Sequence, residues 1–476
     1  MKKQIFFLIT VALVVSCSDF GDMNQDPKQA TAVPPETVYA NANKELVDLM
    51  TESSVNINIF RFFAQTWTST TYTDEPNYDL KVRDQPGAHW DNSYRDILKD
   101  LDEARKIINN SDNANIDPAV IQNQLASISI LEVFTYHVLV DVFADVPFTE
   151  ALNIENVNPK YDDDAAIYPA LTAKLNEAIN SINVDAGSFG DSDLLYNGDM
   201  AGFKKFANSL KLRMAVRIAA VDAGTAATMA SEAIASGVFE SNADNATMPY
   251  LDGSPNANPV WTDLVESGRQ DFIPSDVVVD IMVALDDPRI PIYFDDNLGA
   301  GVYKGGAYGQ NAPYADHTHL GDIFHEPDTE GVLMDYPEVA FLLAEAEELG
   351  LANPAGTPEE NYNAAVTASI QYWGAEGADA YLSQPNVAYA TAGGTWQETV
   401  AVQKWIHLFN RGFEAWTTYR LYGFPDLVTT PFSEEESPRR YTYPNDEASV
   451  NPPGYQAAAS AIGGDEKSSR VFWDVP

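Results

Sequence analysis

The chain has 476 residues, 45% of them apolar, and 28 basic against 70 acidic side chains give a formal charge of −42. The apolar share supports a substantial core and excludes global disorder. The acidic surplus repels nucleic acid and anionic lipid and disfavours strongly anionic polysaccharides, so none of these is an expected partner.

The first 17 residues read MKKQIFFLITVALVVSC: Lys2 and Lys3, a largely apolar run from Ile5 to Val15, then Ser16 and Cys17, the only cysteine in the chain. This is the charged start and short apolar stretch of a secretory signal, residues 1–16. The run is too short for the roughly 20 residues that cross a bilayer. No A-x-A-like cleavage site is present, and a small residue followed by cysteine resembles a bacterial lipobox, which implies acylation of Cys17 and anchoring in a membrane. A lone free thiol is a liability in an oxidising compartment, whereas a thioether consumes it, and two or more acyl chains hold firmly. Residues 17–35 are polar, proline-containing and without helical period, as in a flexible tether.

Pro35 suits the first turn of a helix through Ala40 and Leu46. Residues 60–90 begin with helical spacing and become a long aromatic-rich loop broken by Pro76 and Pro86, a length that is uncommon without a function. Helical periodicity returns at 94–109, at 118–142, after Asp162-Asp163-Asp164, and at 203–220 and 226–236. The three aspartates read as helix caps in preference to a calcium site. Residues 242–314 are rich in Gly, Pro, Asn and aromatics, with one helix expected near 275–285. From Asp335 two helices joined by a short Gly/Pro link form the kind of unit from which tetratricopeptide-type repeats are built. In the run 403–420, Trp405, Phe409, Phe413 and Trp416 recur at helical spacing and read as core, as does the terminal Phe472-Trp473.

Four segments carry a family resemblance: YPEVAFLLAEAEELG, YNAAVTASIQYWG, QKWIHLFNRGFEAWTTYRLYGFP and the terminal SRVFWD, with AQTWTSTTYTDEPNYDL and VALDDPRIPIYF upstream. In collinear order over the mature chain they resemble the SusD/RagB family of Bacteroidetes outer-membrane lipoproteins. The resemblance implies a mainly α fold in which a tetratricopeptide-like helical-repeat scaffold carries a loop-rich ligand-binding half. On this sequence the single domain is 36–476, with the scaffold at 36–241 and 335–425 and the loop-rich part at about 242–334 and 426–476. It also implies a surface position over a TonB-dependent β-barrel transporter of the SusC type, delivery of oligosaccharide to it, and no enzymatic activity. Asp19 and Asp22 are compatible with a surface-export signal.

The residues themselves agree with a binding protein that needs no cofactor. G-x-S-x-G and phosphate-loop motifs are missing, and His325-Glu326 is followed by Pro327, which cannot continue an H-E-x-x-H helix. His317, His319 and His325 lie close enough to suggest a metal, but their irregular polar setting favours hydrogen bonding to sugar, and no metal is expected. A pyranose offers an apolar face to stack and a rim of hydroxyls, so loop aromatics with a few polar groups are the ligand candidates. These are Trp67, Tyr72, Asp74, Tyr78 and Arg83 in the first loop, and Trp261, Arg269, Tyr303, Tyr308, Tyr314, His317 and His319 in the second. Charge favours a neutral glycan. A peptide-binding or structural surface lipoprotein is the alternative, and a lipoprotein glycosidase using a carboxylate pair a further one.

Overall fold

The computed structural model describes residues 33–432 and 434–475, so the signal 1–16, Cys17 and the tether up to residue 32 lie outside the described residues. Ten long helices organise the chain: α1 (Pro35–Thr51), α2 (Lys99–Asn110), α3 (Pro118–Phe143), α4 (Asp164–Ser181), α5 (Met200–Ile218), α6 (Ala223–Ser236), α7 (Tyr336–Glu348), α8 (Pro358–Tyr372), α9 (Trp396–His407) and α10 (Gly412–Tyr422). Pro35 opens α1 as its sequence predicts, and the helix buries Tyr39, Ala42, Leu46 and Leu49. Helices α3 and α4, α5 and α6, α7 and α8, and α9 and α10 pack as hairpins, giving the helical-repeat scaffold. The helix expected near 275–285 is present at Asp276–Ala284.

Pro86 departs from expectation. It sits in the first turn of a helix beginning at Gln85, where its missing N–H removes no bond, and the Asp84 carboxylate accepts from Gly87 N at 3.3 Å. This helix runs through a π segment, Asn92–Leu98, directly into α2.

α3 is long and apolar enough to cross a membrane, but 89% of its most apolar window is buried, which makes it the core helix of the scaffold. The central helices are tied together by buried ion pairs. Arg213 of α5 forms a two-pronged bond to Glu338 of α7 at 2.7 and 2.9 Å. Arg217, one turn on, reaches Asp141 of α3 and Glu414 of α10, each at 2.9 Å. Lys404 of α9 meets Glu345 of α7 at 2.9 Å.

Trp405 and Trp416 are fully buried as predicted, with indole N–H groups donating to Ala64 O and Pro438 O. Trp473 fixes the C-terminal segment through a 2.7 Å bond to Asp141. Of the three aspartates at the start of α4, Asp163 caps the helix through Ala165 N, while Asp162 accepts from Phe148 N and Thr149 N. The oxygens of Asp145, Asp163 and Asp164 gather within 4.8 Å of one another. Each accepts a backbone N–H, from Asp164, Ala165 and Phe472 respectively, and burial pushes the Asp164 carboxyl up to about 7.

Two short antiparallel ribbons join the loops to this scaffold. β1 (Trp67–Ser69) pairs with β3 (Phe272–Pro274), Trp67 opposite Pro274 and Ser69 opposite Phe272. β2 (Ala246–Met248) pairs with β4 (Gly331–Met334). A Cβ on Gly331 would lie 2.4 Å from Val47 Cγ1, so glycine permits β4 to press against α1.

Candidate ligand-binding face

Four chain segments converge beyond the β1–β3 ribbon. The loop after β1 is bound to the segment before β3 by Thr70 N to Asp271 O at 2.8 Å and Thr70 Oγ1 to Gln270 O at 2.6 Å. Ala312 N donates to Thr70 O at 3.0 Å, and the Asn77 amide donates to Gly309 O at 2.7 Å. Gly309 has φ +69, and a Cβ there would meet Pro431 Cδ at 2.8 Å, so the 431 loop closes directly onto it. Gln65 joins the same loop by bonds to both backbone groups of Val428.

The surface they form carries Tyr72, 48% exposed, and Phe432, 69% exposed, the only exposed aromatic side chains among the described residues. Thr71, Asp74, Gln310 and Asn311 are exposed beside them on the same loops. Arg83 holds its guanidinium 5.9 Å from the Tyr72 ring centre, with Glu75 and Asn56 fixing its other side. Gln65, Tyr78, Asp84 and Glu434 in these segments all take positive φ, a backbone state that non-glycine residues adopt where surrounding structure holds them. Exposed aromatic rings with amide, hydroxyl and carboxylate groups on the same loops can each stack on an apolar ring face while those groups bond its rim.

Several predicted ligand residues belong instead to the framework. Trp67 is 1% exposed, packed between Phe272, Phe324 and Phe409 with the Arg61 guanidinium 4.8 Å away. Tyr78 is buried and accepts from Gln65 at 2.9 Å, and burial pushes its hydroxyl up to about 12. Tyr308 is buried with its hydroxyl donating to Phe62 O at 2.6 Å. His317 is buried, bonding Pro313 O through Nδ1 at 2.8 Å. Trp67, Tyr78 and Tyr308 thus have their polar atoms enclosed or bonded within the framework, and His317 commits Nδ1 to the main chain.

The remaining candidates are dispersed. Arg269 is exposed on the approach to β3 and pairs with Asp271 at 2.6 Å. Trp261 is half-buried in a short helix, Pro259–Trp261. Tyr314 and His319 stack on each other at 3.6 Å, with His319 Nε2 bonded to Tyr314 O at 3.0 Å. Tyr303 lines a separate hollow of about 540 Å³ with Asp286, Pro288, Pro291 and Tyr381. Phe432 was legible only as an isolated aromatic after Pro431 in a polar run.

One Ser–His–Asp relay exists: Ser369 Oγ lies 3.0 Å from His407 Nδ1, and His407 Nε2 lies 2.9 Å from Asp335. Ser369 is fully buried and also accepts from Arg289 at 2.8 Å, so this hydroxyl meets no substrate and the relay cross-links helices.

Residues 27–444 match the model of a SusD-like family described as starch-binding and associating with the outer membrane. The chain belongs to this family. Its SusD-like fold recurs in a solved chitin-binding protein, 29% identical with a TM-score of 0.79, over 93% of this chain and 100% of that one. A chitin-binding SusD homologue from Flavobacterium johnsoniae is 25% identical at a TM-score of 0.79, over 93% and 98% of the two chains. A SusD homologue from Bacteroides uniformis is also 25% identical, at 0.78 over 92% and 99%. No curated protein matches the sequence.

Proposed function

We propose that this SusD-like chain is anchored through Cys17 to the outer membrane, facing the cell exterior, and captures a neutral oligosaccharide on the face carrying Tyr72 and Phe432. It then passes that glycan to a TonB-dependent β-barrel transporter of the SusC type. The observation that carries the reading is the exposure of Tyr72 and Phe432 on loops laced together at Asn77, Gly309 and Pro431. The outer-membrane, starch-binding description of the family and the two chitin-binding structures support a glycan ligand. They favour linear oligosaccharides of glucose or N-acetylglucosamine, and the −42 charge favours neutral ones.

Titration calorimetry of the soluble chain against chitin, malto- and acidic oligosaccharides tests this. Binding to a neutral series, weakened roughly tenfold by Tyr72→Ala or Phe432→Ala, is expected, since an aromatic contact is worth about 1–3 kcal/mol. Glycan binding that survives both substitutions together overturns the site. Cys17→Ala is expected to release the chain from the membrane fraction with its helical content intact.

A further inference from the structure

The two most exposed large apolar side chains among the described residues are Ile154, at 89%, and Val157, at 79%, and both sit on the loop between α3 and α4. This loop is internally fixed. The Glu150 carboxylate accepts from the Asn156 amide at 2.9 Å and from Lys160 N at 3.0 Å, and Asn153 Oδ1 accepts from Glu155 N at 3.1 Å. Leu152 is held at φ +61, a strained state for a bulky residue, and turns back against the core. The loop is therefore built to hold two aliphatic groups in water. Val157 also forms part of the wall of a cleft of about 170 Å³, the size of one large side chain, whose other lining includes Trp90, Tyr94, Leu152, Pro159 and Val450. Asn451 Nδ2 bonds Pro159 O at 2.8 Å, so the cleft's far wall is pinned to the same loop.

The rim is acidic. Asp91, Asp446 and Glu155 are exposed, and burial, with the Asp446 and Asp91 carboxylates nearby, raises the proton affinity of the Glu447 carboxyl. The cations nearby are already taken: Lys160 pairs with Asp162 at 2.9 Å, and Arg95 with Asp96 at 2.7 Å. Glu447 accepts from the Tyr161 hydroxyl and Asp91 lies 3.7 Å from the Arg95 guanidinium, leaving Asp446 and Glu155 to face an incoming group. Two preformed knobs beside a hole, with the exposed Asp446 and Glu155 carboxylates nearby, have the anatomy of a protein interface. The acidic ring repels anionic lipid and a second copy of this acidic chain.

We infer that this face docks a basic protein segment, one aliphatic side chain of which fills the cleft between Trp90, Leu152 and Val450 while flanking lysines or arginines meet the acidic rim. The surface is distinct from the aromatic face and does not depend on its ligand.

Calorimetry of the full chain against three hexapeptides tests the inference: alternating Lys-Leu, alternating Lys-Ser and alternating Glu-Leu. The Lys-Leu peptide is expected to bind at least tenfold more tightly than either of the others. Ile154→Asp and Val157→Asp, both too exposed to disturb the fold, are expected to weaken it tenfold or more while leaving glycan affinity unchanged. No binding, equal binding of Lys-Ser, or binding indifferent to both substitutions overturns the docking site. So does partition of the unmodified chain onto phosphatidylcholine vesicles that the two substitutions abolish, since that assigns the knobs to a lipid surface. Loss of glycan binding in Tyr72→Ala with peptide binding retained separates this surface from the proposed glycan site.

Discussion

The Gln65 side-chain amide is bonded at both ends to the main chain of Val428: Nε2 donates to Val428 O at 2.7 Å, and Val428 N donates to Oε1 at 2.9 Å. Nε2 also donates to the Tyr78 hydroxyl at 2.9 Å, so one buried glutamine holds the loop bearing Phe432 against the loop bearing Tyr72. Gln65→Leu keeps the volume and removes all three bonds. It is expected to cost about 1–3 kcal/mol, because the Val428 main chain loses both bonds and the Tyr78 hydroxyl loses one of its partners inside the core. The specific consequence is faster hydrogen exchange at 426–432 and weaker glycan binding. Exchange unchanged there shows that the loop is held by other contacts.

The buried ion pairs make a different prediction. Glu414 takes two bonds from Arg217, at 3.1 and 2.9 Å, and lies 3.4 Å from Arg213. Burial alone would raise its proton affinity, yet the two guanidinium groups hold its carboxyl well below the ordinary range. Glu414→Gln leaves that pair of cations with only Asp141 and Glu338 to balance them. Breaking a buried pair by removing one partner costs about 3–5 kcal/mol. A loss of that order in the denaturant midpoint, with glycan affinity unchanged in the folded fraction, is expected.

How much of this was readable in sequence depends on periodicity. α1, α7 and α8 repeat apolar residues at helical spacing, and proline in a first turn marks each start, so pattern and structure agree. The helix beginning at Gln85 was hidden because its first turn contains a proline that looks like a breaker without the Asp84 cap in view. Three-residue strands such as β1 carry too few positions to show alternation. In the loops nothing periodic separates Tyr72 from Tyr78, six residues apart. Their opposite burial is decided by partners distant in sequence, Gln65 and Tyr308 closing over Tyr78 and Arg83 lying beside the open Tyr72. Phe432 follows Pro431 in a polar run with no period to place it, and it is 69% exposed.

His89 is an unusual core residue. It is fully buried against Phe60, Phe143 and Tyr441, and both ring nitrogens lack a hydrogen-bond partner. Burial pushes its imidazole down to about 3, against about 6.5 when unfolded. Between those values the unfolded chain binds the extra proton, so stability is full above about 6.5 and falls as pH drops toward 3. His89→Phe is expected to remove roughly 2–4 kcal/mol of the acid-side loss between pH 7 and pH 4. Melting temperatures of the two chains across that range check it. Parallel curves would mean that another group governs acid unfolding.

Glu52 has the opposite sign. It sits at the C-terminal end of α1, accepts from Ser53 N and Ser54 N at 2.8 and 2.7 Å, and shares its surroundings with Asp263, which accepts from Ser53 Oγ at 2.8 Å. Burial, then the Asp263 carboxylate, push Glu52 up to about 7, against about 4.5 when unfolded. Arg61 donates to the main-chain oxygens of Glu52 and Thr51 instead of to either carboxylate, so its charge offsets the pair only in part. In this window the folded chain holds the extra proton. Stability is therefore full below about 4.5 and is lost as pH rises through about 7. Glu52→Gln mimics the protonated form at every pH and is expected to stabilise the chain at pH 8 on the order of 1 kcal/mol, with little effect at pH 4.5. Urea midpoints at the two pH values measure the difference, and an equal effect at both would place the Glu52 carboxyl in its ordinary range.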